Sequence, residues 1–128
     1  MRTILFLIVA GALGTLSRYA LGGLAQRING TSFPYGTLVI NVLGCFVIGL
    51  IMQIALSTDL ISPTLRIGLT IGFLGAFTTF STFSYETVKF LEDGAWAPAA
   101  LNIASNVGIG LLATLCGMLL GRAILGGI

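Results

Sequence analysis

The stretch that decides the fold is Gly72-Phe73-Leu74-Gly75-Ala76-Phe77-Thr78-Thr79-Phe80-Ser81-Thr82-Phe83-Ser84-Tyr85-Glu86. It sits inside an apolar run from about 66 to 91, and a helix of about 20 residues crosses a bilayer. Five hydroxyls fall between Thr78 and Ser84, and Gly72 and Gly75 weaken the helix just before them. Such hydroxyls satisfy the backbone groups that a broken helix sets free. Non-helical backbone at membrane depth is tolerated only where protein or a cavity surrounds it. The stretch therefore predicts a membrane helix broken near its middle, with carbonyls turned inward. Unwound carbonyls are how broken membrane helices hold small hard cations. Phe73, Phe77, Phe80 and Phe83 are expected on one side of this helix. Phenyl edges are electropositive, so with hydroxyl and amide donors they offer an anion path without fixed positive charge. The plainer alternative is a Phe-rich packing face whose hydroxyls bond their own backbone, and the density of Thr and Ser weighs against it.

Outward from this stretch the chain is just as apolar. Of its 128 residues 56% are hydrophobic and 8% charged, against about 25% charged in soluble domains. Six basic and four acidic side chains cannot cover a soluble fold. Low hydrophobicity is what disorder requires, so disorder is excluded. A net charge of +2 spread along the chain leaves no basic footprint for nucleic acid. An all-α integral membrane protein of four spans is expected, at about 3–25, 35–56, 66–91 and 95–120. Polar turns separate them: Arg27 to Ser32 with Thr31, then Ser57 to Pro63, then Glu92 to Gly94. Four spans and short loops use up these residues as a single transmembrane domain and leave no room for a soluble catalytic one. Arg2 followed by the apolar residues to Ala12 also resembles a signal peptide. The remainder is equally apolar, so a span that stays in the membrane is expected.

The loop charges carry no usable orientation signal. Arg2, Arg66 and Arg122 share one side of a four-span chain, and Arg27 and Lys89 the other. Cytoplasmic loops ordinarily collect the excess of Lys and Arg. Two opposite copies pairing as an antiparallel dimer and a single weakly favoured orientation remain equally open on charge alone. Within the spans, Gly11, Gly14, Arg18 and Gly22 mark one helical face where another backbone can approach. Arg18 on that stripe faces protein or a vestibule, or else snorkels to the interface. Asn41 interrupts the second span. Asn102, Asn106, Gly110, Thr114, Gly117 and Gly121 form a polar and small seam along the fourth. Packing explains the glycines of that seam but not two amides one turn apart. Cys45 and Cys116 are expected to be small buried hydrophobes without a disulfide.

Taken together, these motifs resemble a known family. The run Gly72 to Glu86 is similar to the signature of the small fluoride channels called Fluc or CrcB. The likeness continues in Pro34-Tyr35-Gly36-Thr37-Leu38 with Asn41 and Gly44, and in Gly11, Gly14, Arg18 and Tyr19. It implies a dual-topology, antiparallel homodimer of four-helix subunits in the cell (inner) membrane, with two fluoride pores. Such proteins export toxic fluoride passively. The resemblance implies one structural sodium ion, Na+, held by backbone carbonyls that map onto Gly75 and Thr78. The pore phenylalanines map onto Phe80 and Phe83, the pore asparagine onto Asn41, and nearby hydroxyls onto Ser81 and Thr82. Asn106 is expected to face the pore; Arg18, Glu86 and Asn102 belong to a vestibule or interface. Two departures stand out. The usual Gly-Gly pair is Gly75-Ala76, and Asn102 and Asn106 replace the tyrosine and serine of some members.

Other classes fit less well. A proton-coupled multidrug exporter needs a carboxylate embedded in the membrane, and the first two spans contain none. A membrane enzyme lacks its groups: there is no histidine and no close carboxylate pair within a span. A purely structural subunit would leave Asn41, Asn106 and the hydroxyl cluster without purpose.

Overall fold

Long apolar runs in a bilayer must satisfy their own backbone, and they do so as helices. The computed structural model describes residues 1–30 and 32–126; Thr31, Gly127 and Ile128 lie outside the described residues. Among the described residues every regular element is helical. We label them α1 (Arg2–Asn29), α2 (Tyr35–Ser57), α3 (residues 63–77), α4 (Phe80–Glu92) and α5 (Trp96–Gly126). Four runs are long and apolar enough to cross a membrane, α3 and α4 together forming the third. Three of them outlast the span expected from hydropathy by several residues and α2 by one, because helices continue into the interface.

Turns follow local chemistry. Gly30 closes α1 in the left-handed conformation, φ 52°, which glycine adopts without a Cβ penalty. The Gln26 side chain then bridges the turn, donating to the Phe33 carbonyl at 3.0 Å and accepting from the Gly36 amide at 3.1 Å. Ser62 caps α3 by accepting from the Leu65 amide, with Pro63 in the first turn.

The interior is built by backbone contact more than by large side chains. Ile40, Leu74 and Phe77 form a small buried cluster with Val47, Ile51 and Phe73 against it. Elsewhere glycines let helices touch. A Cβ at Gly14 would strike the Phe73 carbonyl, one at Gly36 the Gly22 carbonyl, and one at Gly117 the Phe46 carbonyl. Through these contacts α1 packs on α3 and α2, and α2 packs along α5. Large apolar residues such as Leu5, Leu16 and Leu111 are left exposed on the outside, where lipid replaces water.

The third span breaks near its middle, as expected, and not at its glycines. Gly68–Leu74 instead forms a widened π-helical stretch, and a second π stretch, Ser105–Ile109, lies in α5. The interruption comes later, where Thr78 (φ −86°, ψ 160°) and Thr79 (φ −149°, ψ 109°) are extended. The span bends by 23°. This break also divides the phenylalanines, so the expected single Phe face does not form. Phe73 stacks on Phe77 at 5.8 Å on the core side, while Phe80 meets Phe83 edge-on at 5.5 Å beyond the break. The cysteines are free but not fully buried: Cys45 is half-buried and Cys116 exposed.

Candidate functional site

Of the two extended residues at mid-span, Thr79 has an amide and a carbonyl that no helix satisfies, and the fold assigns both to Asn41. The Thr79 amide donates to Asn41 Oδ1 at 2.8 Å, and Asn41 Nδ2 donates to the Thr79 carbonyl at 3.2 Å. The second Nδ2 hydrogen goes to Asn106 Oδ1 at 3.0 Å. An asparagine amide has two N–H donors, so both of Asn41's are engaged. Thr79 Oγ1 accepts from the Thr82 amide at 3.2 Å and thereby caps α4; it donates to Thr82 Oγ1 at 2.9 Å.

These diversions free two carbonyls. In an unbroken helix the Thr79 amide would bond the Gly75 carbonyl and the Thr82 amide the Thr78 carbonyl. Here the first goes to Asn41 and the second to Thr79 Oγ1. The Gly75 and Thr78 carbonyls thus lack their helical donors next to the break, as do those of Ala76 and Phe77, whose donors would be the first two amides of α4.

Two cavities of about 360 Å³ each meet at this point. The first is lined by Asn41, Asn106, Phe80, Phe83, Gly75 and Thr78, together with Cys45 and residues of both π stretches. Among the described residues no charged side chain lines it. The second holds Arg18, Glu86, Thr37, Thr82 and the glycine face of α1 and α2. Thr79, itself buried, lines both. In the second cavity Glu86 Oε1 accepts from Thr37 Oγ1 at 2.5 Å, while Oε2 is buried without a hydrogen-bond partner among the described residues. Arg18 shares this cavity without pairing with Glu86; among the described residues the ion pairs are those of Lys89 with Glu92 and Asp93.

The expected site residues therefore fall into groups. Asn41, Asn106, Phe80 and Phe83 come together, with Gly75 and Thr78 beside them. Arg18, Glu86 and Thr82 come together across Thr79. Ser81 is exposed and lines neither cavity, its Oγ 3.3 Å from Thr79 Oγ1. Asn102, expected in a vestibule or interface, is instead 0% exposed between α4 and α5. Its Nδ2 donates to Thr87 Oγ1 at 3.0 Å, because helix packing at Ala99 and Ser105 turns that face of α5 inward. Thr37, Thr79 and Thr87 join the site beyond the residues expected from sequence. Thr37 lies four residues before Asn41, which is the available signal for it; Thr79 and Thr87 have no polar residue four away, and membrane hydroxyls commonly bond their own helix, as Thr70 and Thr114 do.

Comparison with known proteins adds two kinds of likeness at the level of the whole chain. The family model described as CrcB-like protein, Camphor Resistance (CrcB), matches residues 5–118. A Geobacter sulfurreducens protein named fluoride-specific ion channel FluC is 53% identical over 124 residues, covering 97% of this chain and 100% of that protein. Proteins with the same name from Geotalea uraniireducens and Dehalococcoides mccartyi are 52% and 51% identical, each covering 97% of this chain and 100% and 95% of the respective protein. Four apolar spans and relatives named as channels make the chain a multi-pass membrane protein.

Proposed function

The chain belongs to the CrcB-like family, and from that premise we propose that it is a fluoride-specific channel, not an enzyme, that lets fluoride leave the cytoplasm passively across the cell (inner) membrane. What carries this is the first cavity, where Asn41, Asn106 and the Phe80–Phe83 edge pair converge with no charged side chain. Fluoride is small and strongly hydrated. A selective path must replace its water with close donors and still release it. Neutral amides and phenyl edges do this in moderate, separate steps. A ring of lysine or arginine would hold the ion and discriminate less. Asn41 offers its N–H by exchange, the anion taking the place of Asn106 Oδ1. Thr79 and Thr82 hydroxyls continue the donors toward the Arg18 and Glu86 side, with Ser81 at the exposed edge.

Purified protein in liposomes should release loaded fluoride and hold chloride, read with ion-selective electrodes. In the same assay Phe80→Ile or Phe83→Ile should slow fluoride about tenfold or more without loss of folded protein, since ring edges supply roughly 1 kcal/mol or more each. Equal release of chloride would sink the channel, and full flux in both Ile variants would move the path elsewhere.

Further parts of the proposal concern assembly. A second copy pairs antiparallel with the first, giving two pores, and the near-balance of loop charges suits insertion both ways. A structural Na+ fits the donors present: the Gly75 and Thr78 carbonyls lack their helical amides and are neutral hard oxygens of the kind this ion takes. When bound it contributes positive potential beside the anion path. Thermal unfolding should therefore come at a higher temperature in sodium chloride than in the chloride of a large organic cation. Superimposed melting curves would remove the sodium from the proposal.

A further inference from the structure

The amides do more than line a cavity; they are linked in one direction. From the break, the Thr79 amide donates to Asn41 Oδ1, and Asn41 Nδ2 donates to Asn106 Oδ1 at 3.0 Å. Asn106 Nδ2 donates to Asn102 Oδ1 at 3.0 Å, Asn102 Nδ2 to Thr87 Oγ1 at 3.0 Å, and Thr87 Oγ1 to the Phe83 carbonyl at 2.8 Å. The series starts and ends on the backbone of α4, crossing α2 and α5 between. A backbone N–H only donates and a carbonyl only accepts. While the Thr87 hydroxyl donates to the Phe83 carbonyl, every amide keeps this direction, and Asn106 turns its oxygen toward Asn41.

That orientation is wrong for an anion. An amide oxygen facing the cavity repels it, and both Asn106 N–H groups are occupied by Asn102, through its side chain and its carbonyl. Turning Asn106 alone would set its oxygen against those two oxygens. If Asn102 turns as well, its Nδ2 meets the Asn106 oxygen and its own oxygen meets Thr87 Oγ1; the one opposed contact left is the Asn102 backbone carbonyl against the Asn106 oxygen, which the anion's bond to the freed Asn106 N–H offsets. A hydroxyl can donate or accept. Thr87 needs only to rotate its proton from the Phe83 carbonyl to Asn102, and that carbonyl keeps the helical amide of Thr87 itself. The buried series is thus reversible because one member is a hydroxyl.

We propose that Asn106, Asn102 and Thr87 form a reversible donor relay, in which rotation of the buried Thr87 hydroxyl turns Asn106 from an acceptor for Asn41 into a donor for the anion. Resting on the channel reading, the relay makes Thr87 and Asn102 positioning residues, since neither lines the two cavities at the break. In the resting direction the Asn41 donor is closed on Asn106. In the reversed direction both amides point N–H groups at the ion. No proton leaves its atom and no charge is buried.

The test is the dependence of fluoride release on fluoride concentration for full-length protein in liposomes. Thr87→Val keeps the shape and removes the rotor. It should raise the half-saturating fluoride concentration about tenfold, the equivalent of one hydrogen bond. Thr87→Ser should restore the wild-type curve. Thr87→Cys, a weak donor and acceptor, should fall between, so the ranking stands even if Val is poorly tolerated by the fold. A purely structural Thr87 would alter melting temperature but not this curve per folded protein. Wild-type liposomes that retain fluoride overturn the channel and the relay with it. Wild-type release with superimposed curves for Val and Cys overturns the relay alone, as does a Ser variant as impaired as Val.

Discussion

Replacing Asn41 with aspartate is expected to cut fluoride release at least about 100-fold while chloride stays excluded. Asp is close in shape, but it has no N–H. The Thr79 carbonyl and Asn106 Oδ1 both lose their donor, and a negative charge enters a cavity that has no charged lining. Hydrogen bonds to an ion contribute about 1.5–3 kcal/mol each, and every 1.4 kcal/mol is a factor of ten in rate. Like-charge repulsion adds to this. Asn41→Ala separates the terms, since it removes the donors without the charge and should retain about ten times more flux than Asn41→Asp. The measurement is release per folded protein, with size-exclusion profiles to show that folding survives. Aspartate flux within tenfold of wild type would take Asn41 off the anion path.

The largest effect on stability is expected at Gly117. A Cβ there would lie against the Phe46 carbonyl and the Leu50 amide of α2. Both are backbone, so neither can swing aside as a flexible side chain would. Gly117→Val must push α5 from α2 along the longest contact in the fold, and with it Asn106 from Asn41. The cost is at least about 3 kcal/mol, a large share of the stability of a small protein. The expected outcome is loss of a monodisperse peak after extraction, with aggregation in its place. Gly108→Ala, where nothing stands within 4 Å, should behave as wild type. A normal peak and normal flux from Gly117→Val would mean that α2 and α5 do not meet as described.

Much of this was legible in the residues. The four spans follow from the apolar runs alone, since a bilayer admits only self-satisfied backbone. The glycine stripes of α1 and α5 announced close helix approach and are found at such contacts. The break in the third span was legible in kind and in place, near the middle of the span, but not in its cause. Gly72 and Gly75 lower helix propensity, yet both stay helical, Gly72 in a π stretch, whereas Thr78 and Thr79 are extended and the Thr79 amide goes to Asn41. Asn41 lies 38 residues away from Thr79 in sequence, and no local pattern reports such a partner. The same holds for Asn102. Its spacing from Asn106 suggested a shared face, but a helical face does not say which neighbour covers it.

By itself, then, the order of residues determined the solvent, the number of crossings and the family signature, because these depend on local composition and period. Tertiary structure decided which hydroxyls and amides join the first cavity, which carbonyls of the break lose their donors, and which way each amide points. Hydrogen bonds between separate helices settle those matters. They depend on distances and on donor polarity at both ends, and neither quantity exists until the helices have packed.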